Sequence, residues 1–150
     1  MARMAKGTLI LVADGEKALI LENAGTPDAP ELSVVSRHAV PPEALAGATD
    51  RPGRMADKGP GQRSALEQAD YARLAGEAFA ADLAGVIEVE VAGRGSARLV
   101  IAAPAPILGA MRPHLGAATG RALAAECAKT LTGHPLPQIA KIVAAELEAA

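Results

Sequence analysis

The chain has 150 residues, about half of them apolar and 21% charged, which is typical of a globular domain rather than a disordered segment. This length predicts a single domain over residues 1–150. The formal net charge of −2 excludes charge-driven nucleic-acid binding over a broad basic surface, but it is compatible with a local basic patch. One Tyr, one Phe and no Trp argue against a surface that stacks the bases of single strands.

Cys127 is the only cysteine, so the chain can form no internal disulfide. Its alanine neighbours favour a core position, and no Cys/His cluster has the spacing of a zinc site. We therefore expect no metal and no cofactor. No apolar stretch reaches spanning length and no signal-peptide pattern opens the chain, which predicts a soluble cytoplasmic protein without membrane contacts. The sequence leaves the oligomeric state open.

Three strand-like stretches open the chain. Residues 8–13 form an apolar run, and the turn pair Asp14-Gly15 connects it to a second run at residues 17–22. Residues 32–40 supply a third strand. Short turns between consecutive strands favour antiparallel neighbours.

Residues 41–63 have a different composition, with frequent proline and glycine and no apolar periodicity. We expect a long loop, and loops of this length inside a compact domain are generally functional or disordered. The loop is also rich in charge, with side chains at Asp50, Arg51, Arg54, Asp57, Lys58 and Arg63.

A long helix is predicted after this loop, because Ser64 followed by Glu67 has the form of a capping box. Its apolar side chains recur at helical spacing at Tyr71, Leu74, Ala75, Phe79, Leu83, Val86 and Ile87. Residues 86–91 alternate like a strand instead, which leaves the end of the helix open.

The second half of the chain begins with a buried-looking strand at residues 99–103. Pro104 and Pro106 indicate the start of a second helix, and residues 136–148 predict a final one. Residues 121–129 are too rich in alanine to assign by periodicity. The order β-β-β-α-β-α-(β)-α predicts an α/β fold in which a mixed five-stranded sheet carries helices on its faces. Residues 8–13 and 99–103 are expected to be its central strands.

Several stretches, taken together and in order, resemble one bacterial family. They are Leu11-Val12-Ala13-Asp14-Gly15 with Ala18, Thr49-Asp50-Arg51-Pro52-Gly53-Arg54, residues 61–67, Phe79-Ala80 with Leu83-Ala84, residues 99–104 with Leu108-Gly109 and Arg112, and Lys129-Thr130-Leu131-Thr132-Gly133-His134-Pro135. The family is that of the bacterial host-attachment proteins, described as relatives of the archaeal and eukaryotic release factors. The resemblance covers nearly the whole chain.

The resemblance implies a ribonuclease H-like fold, similar to the middle domain of release factors and of the ribosome-rescue protein Pelota. It also implies that residues 121–127 form the fifth strand and that the first helix continues past Val86. The family name refers to an attachment phenotype and implies no established molecular activity.

A two-metal nuclease is one hypothesis for a ribonuclease H-like fold. This chemistry needs several carboxylates at the ends of the strands. Asp14 follows the first strand and could supply one ligand. The fourth strand ends in Ala102-Ala103-Pro104, which offers no second carboxylate. We therefore interpret Asp14 as a turn-forming residue.

Hydrolysis of a peptidyl-tRNA ester is a second hypothesis. Release factors carry a Gly-Gly-Gln loop before their long helix, and Gly59-Pro60-Gly61-Gln62 occupies a similar place here. Pro60 stands where the motif has glycine, and proline restricts the backbone and removes an N–H. Catalysis through Gln62 is therefore the less favoured alternative.

The loop also suggests a binding site. Arg51 and Arg54 flank a Pro-Gly turn and could bind phosphate or carboxylate; alternatively, Asp50 pairs with one of them in a structural clamp. The candidate binding residues are Asp50, Arg51, Pro52, Gly53, Arg54, Lys58, Gly61, Gln62 and Arg63.

Residues 129–135 contain the remaining candidate base, His134. No serine or cysteine partner is suggested by spacing, so a structural role is favoured, with Thr132 capping the last helix.

The favoured function is a non-catalytic release-factor-like domain that binds RNA or a ribosome-associated factor through residues 41–63. The alternatives are the peptidyl-tRNA type of hydrolase and an interaction module that supports attachment to host cells indirectly. The sequence thus favours a binding protein over an enzyme.

Overall fold

A computed structural model describes residues 4–41, 65–95 and 97–149 of the chain. The secondary structure of these ranges is, in chain order, β1 Leu9–Ala13, β2 Lys17–Asn23, β3 Leu32–Ala39, α1 Ala65–Arg94, β4 Leu99–Ala102, α2 Ala105–Met111, α3 Ala117–Ala122, β5 Leu123–Cys127 and α4 Leu136–Ala149. A 3₁₀ turn at Arg112–His114 separates α2 from α3.

The strands form one mixed sheet in the order β3-β2-β1-β4-β5. β1 pairs antiparallel with β2 and parallel with β4, and Leu9 faces Glu22 on one side and Leu99 on the other. β3 adds to β2 antiparallel, and β5 adds to β4 parallel. All residues of β1 and β4 are buried, so the predicted central position of these two apolar runs is confirmed.

The sheet has a core on each face, because successive strand side chains point to opposite sides. On one face, Leu9 and Leu11 belong to the same buried cluster as Phe79, Leu83 and Ile87 of α1. On the other face, the cluster joins strand residues to α4, and its members include Ile10, Val12, Ile139, Val143 and Leu147. The helices therefore cover both faces of the sheet, as predicted.

The strand directions define two ends of the molecule. We call the end where β1 and β4 stop the carboxyl end of the sheet, and the end where they start the amino end. α1 runs from the carboxyl end to the amino end of the sheet. Gly76 lies against Gly15 in the β1–β2 turn, and Arg94 contacts Glu22 beside the start of β1. A helix of 30 residues is about 45 Å long, whereas a strand of five residues spans about 17 Å. The first 11 residues of α1 therefore extend about 16 Å beyond the point where it packs on the sheet.

This extension corrects the predicted apolar stripe. Tyr71 and Leu74 have 43% and 54% of their surface exposed, and they do not join the core. Burial begins at Gly76 and continues at Phe79, Ala80, Leu83, Ala84, Ile87 and Val91. The periodicity gave the correct helix, but it placed the start of the buried face too early because the helix outruns the sheet.

The helix continues past Val86 to Arg94, as the family resemblance implied. The strand-like alternation of residues 86–91 has a helical explanation: Ile87 and Val91, one turn apart, face the core, while Val89 is 72% exposed on the other side. Gly95, with φ of +71°, follows the helix in the left-handed conformation that glycine adopts easily.

The alanine-rich residues 121–129 divide between two elements. Residues 121–122 end the short helix α3, and the fifth strand begins at Leu123 and not at Arg121. The resemblance therefore predicted the strand correctly and its start two residues early. The helix α3 itself had no counterpart in the predicted order.

The predicted fold class is confirmed as an α/β fold with a mixed five-stranded sheet, consistent with a ribonuclease H-like architecture. Within the three described ranges, no helix combines the length and the apolar character needed to cross a membrane.

Candidate functional site

Asp14 lies at the carboxyl end of the sheet, directly after β1. Its Oδ1 accepts hydrogen bonds from the backbone N–H of Glu16 at 2.7 Å and of Lys17 at 2.8 Å. Its Oδ2 accepts a hydrogen bond from Thr132 Oγ1 at 2.7 Å. The prediction that Asp14 forms the turn before Gly15 is therefore confirmed.

These contacts also fix the ionisation of Asp14. Burial acts to raise the pKa of this carboxyl group, but the hydrogen bonds from Thr132, Glu16 and Lys17 and the charge of Lys17 outweigh it. The pKa of Asp14 therefore lies below its ordinary value, and the carboxylate is ionised at neutral pH. Both of its oxygens accept hydrogen bonds from the protein. In the part of the chain that the structure describes, no three acidic, histidine or cysteine side chains are grouped to hold a metal ion.

Thr132 does not cap the last helix, and this prediction was wrong. α4 begins at Leu136, four residues later, while the Thr132 hydroxyl donates to Asp14 across 118 residues of sequence. The backbone N–H of His134 donates to the Leu131 carbonyl at 3.0 Å. The segment between β5 and α4 is thus attached to the β1–β2 turn, a contact that no local sequence pattern indicates.

Residues 42–64 connect to the described structure at this same carboxyl end. On one side, the Val40 N–H donates to the Glu16 carbonyl at 2.8 Å, which fixes the end of β3 beside the β1–β2 turn. On the other side, Ala65 opens the extended part of α1. The candidate binding residues Asp50, Arg51, Pro52, Gly53, Arg54, Lys58, Gly61, Gln62 and Arg63 all lie outside the described residues, so their arrangement stays a prediction.

The extended part of α1 carries more acidic than basic side chains. Arg73 lies 3.0 Å from Glu77 and 3.9 Å from Asp70, and Glu67 adds a further carboxylate in the first turn. Residues 50–63 have the opposite balance, with four basic side chains and two acidic ones. The extended part of α1 therefore adds no net positive charge at this end of the molecule.

Cys127, the last residue of β5, is 1% exposed and belongs to the core on the α4 face. Burial, and secondly the charge of Glu146, raise the pKa of its thiol. A thiol kept protonated in an apolar core is a poor nucleophile, so the predicted core role is confirmed.

Comparison with protein families decides the relationship of the chain. Residues 7–143 match the sequence model of bacterial archaeo-eukaryotic release factor family 12. The chain belongs to this family. The predicted release-factor resemblance is thereby confirmed, whereas a role in host attachment stays a prediction. Comparison with curated proteins gave no match.

Sequence reasoning missed a group of basic residues at the amino end of this release-factor-family chain. Lys6, Arg98 and Arg121 come from three separate parts of the sequence, and none stands in a motif. The pairing of β1 with β4 and of β4 with β5 brings them to one end of the sheet. Only the topology reveals them.

Proposed function

We propose that this release-factor-family chain is a non-catalytic domain that binds RNA or a ribosome-associated factor through residues 41–63. The observation that supports the proposal most is the position of α1. Its first 11 residues extend beyond the sheet, and the described side chains between 67 and 74 are all exposed. Residues 42–64 thus join the body at the tip of an exposed helix.

The chemistry of the segment supports a phosphate-bearing partner. Arg51 and Arg54 flank Pro52-Gly53, and a guanidinium group binds phosphate oxygens with two parallel N–H donors. Lys58 and Arg63 add charge. Because the neighbouring part of α1 is acidic, these four side chains are the cations through which residues 41–63 would contact an RNA backbone.

The contacts of Asp14 support the non-catalytic part of the proposal. A carboxylate that accepts three hydrogen bonds from the protein has a structural task, and Thr132 is occupied by the same contact. His134, the candidate base of residues 129–135, has no cysteine or serine partner suggested by its neighbours in sequence. These residues hold the carboxyl end together rather than activating a nucleophile.

The test is the double substitution Arg51→Ala/Arg54→Ala, with binding to a single-stranded RNA measured by fluorescence anisotropy over a range of salt concentrations. We expect weaker binding and a shallower slope of log K against log salt. The slope should change by about 1.4, since each lost contact with a single strand removes about 0.7. The melting temperature should fall only slightly.

The matched control is Arg112→Ala/Lys141→Ala, which removes two exposed cations elsewhere on the surface. It should leave the affinity and the salt slope close to those of the parent chain. If Arg51→Ala/Arg54→Ala mainly lowers the melting temperature and leaves RNA binding unchanged, the Asp50–arginine clamp is correct and the binding proposal fails.

A further inference from the structure

Two adjoining clefts lie at the amino end of the sheet, away from the 42–64 connection. Each has a volume of about 460 Å³, and they share Ala97 and Arg98 as a common wall. The first cleft lies between the end of α1 and α3 and includes Arg121. The second lies between the N-terminal segment and the end of α1 and includes Lys6 and Arg94.

The charges around the clefts are unbalanced. In the described parts of the chain, Lys6, Arg98 and Arg121 make no ion pair, whereas Arg94 is paired with Glu22 at 3.2 Å and Glu90 at 3.5 Å. Among the described residues, the two clefts are lined by these four cations and a single carboxylate, that of Glu22. In a chain with a net charge of −2, this is a local concentration of positive charge.

Two further carboxylates lie beside the clefts: Glu90 is paired with Arg94, and Glu88 interacts with the charge of Arg121 without an ion pair to it. The two oxygens of Glu88 accept hydrogen bonds from the N–H groups of Ala118 and Thr119 and from the Thr119 hydroxyl. Those contacts, and secondarily the charge of Arg121, hold the pKa of Glu88 below its ordinary value. Glu88 thus orders the wall of the first cleft, and no described hydrogen bond or ion pair occupies the guanidinium of Arg121.

The walls between the cations are low. Gly95, Ala97, Ala118 and Ala122 line the first cleft with small side chains, which leaves the guanidinium groups accessible from solvent. No aromatic side chain lines either cleft among the described residues, so base stacking is not the mode of recognition. Among the described residues, the buried Nε of Arg94, which lines the second cleft, has no hydrogen-bond partner.

We propose that the two clefts together form a phosphate-binding site in which Arg98 is the central residue and Arg121 and Lys6 flank it. Guanidinium and ammonium groups without acidic partners bind phosphate oxygens by charge-assisted hydrogen bonds. The ligand is a chain of phosphate groups, supplied either by an RNA backbone or by a free polyphosphate-bearing nucleotide. This site does not depend on the 41–63 segment, which attaches at the opposite end of the sheet.

The experiment uses the full chain and two probes, inorganic pyrophosphate by isothermal titration calorimetry and a single-stranded RNA by fluorescence anisotropy. The variants are Arg98→Ala/Arg121→Ala and the control Arg112→Ala/Lys141→Ala, which changes the net charge equally. Because Arg98 and Arg121 are exposed, Arg98→Ala/Arg121→Ala should keep the parent melting temperature. The control also removes the exposed Arg112–Glu126 ion pair, so its melting temperature should fall only slightly. We expect the first variant to lose affinity by about tenfold or more and the control to lose little.

The two probes distinguish the sources of phosphate. If Arg98→Ala/Arg121→Ala loses affinity for both pyrophosphate and RNA, the result supports a small phosphate ligand. If it loses affinity for RNA alone, the result supports contact with an RNA backbone. The proposal is overturned if the parent chain binds neither probe, if Arg98→Ala/Arg121→Ala binds as the parent does, or if the control loses as much. Pyrophosphate binding should survive Arg51→Ala/Arg54→Ala, so a failure of the loop proposal leaves this one standing.

Discussion

At each end of the sheet a carboxylate accepts a hydrogen bond from a threonine hydroxyl and two from backbone N–H groups. The two sites differ in how many residues of sequence separate the carboxylate from its donors. At the carboxyl end, Asp14 accepts two N–H groups of its own turn and the hydroxyl of Thr132, 118 residues away. At the amino end, Glu88 accepts two N–H groups and a hydroxyl from residues 30 and 31 positions ahead. Asp14 thus forms both a local turn and a contact with a distant segment, whereas Glu88 forms only contacts with a distant segment.

The difference shows what each carboxylate does for the fold. Glu88 satisfies the free N–H groups at the start of α3, where the N-cap residue Gly116 has no side chain to do so. A Cβ at Gly116 would collide with the Glu88 carboxyl group, so glycine at 116 and glutamate at 88 form one unit. Asp14 instead connects the β1–β2 turn, beside which β3 ends, to the segment that precedes α4.

Asp14→Ala is expected to have the largest effect on stability, because it leaves three donors without their acceptor. The loss should be about 1–3 kcal/mol, reduced from the sum of three charge-assisted bonds because the site is only partly buried. Thr132→Val removes one of the three bonds and should cost about 1 kcal/mol. Urea denaturation measures both.

Asp14→Asn is the control for that prediction, since an amide oxygen can still accept the N–H groups of the turn. Its loss should lie below that of Asp14→Ala. If Thr132→Val and Asp14→Ala proved equally destabilising, the turn bonds would contribute nothing and the tie to Thr132 would be the whole function of Asp14.

The sheet could be predicted from sequence because its signals are local. The apolar runs of β1 and β4 indicate strands covered on both faces, and Asp14-Gly15 marks the turn between β1 and β2. The start of the buried face of α1 could not be predicted, since Tyr71 has the helical spacing of a core residue and is excluded only because the helix outruns the sheet. Periodicity reports the face of a helix, but not where its neighbour ends.

The sites were less predictable than the fold for the same reason. The turn role of Asp14 follows from its neighbours in sequence, but the partner of Thr132 lies 118 residues away. Arg98 and Arg121 come together only through the parallel pairing of β4 with β5. The composition of residues 41–63 marked them as unusual, and their arrangement lies outside the described residues.

The stability of the protein in acid depends on the ionisation of both carboxylates. Both have a pKa below the ordinary value, so their contribution is present above the unfolded-state pKa, about 3.9 for Asp and 4.3 for Glu. It is lost as the pH falls through the lower pKa of the folded state. Asp14→Asn and Glu88→Gln should therefore lower the melting temperature at pH 7, approach the parent chain as the pH falls below about 4, and converge on it only below the folded-state pKa of each group.

Asp82→Asn, at an exposed acid on α1, is the control and should follow the parent at every pH. If the melting temperature of one variant were below that of the parent chain by the same amount at low pH as at pH 7, its effect would come from packing rather than from the charge. Asp14 and Glu88 would then stabilise the fold by different means.

The smallest expected effect concerns catalysis, where we predict none. Purified protein should show no magnesium-dependent nuclease activity, because the oxygens of Asp14 accept three protein hydrogen bonds and the end of β4 offers Ala102, Ala103 and Pro104 in place of a carboxylate. It should also leave peptidyl-tRNA intact, since Pro60, two residues before Gln62, restricts the backbone where the release-factor motif has glycine. The assays are cleavage of labelled RNA with and without Mg²⁺ and release of the peptide from a model peptidyl-tRNA. Gln62→Ala should therefore behave as the parent chain does. A hydrolytic signal that Gln62→Ala abolishes would make the carboxyl end a catalytic region, and the comparison between the two ends would then be one of an active site with a phosphate-binding site.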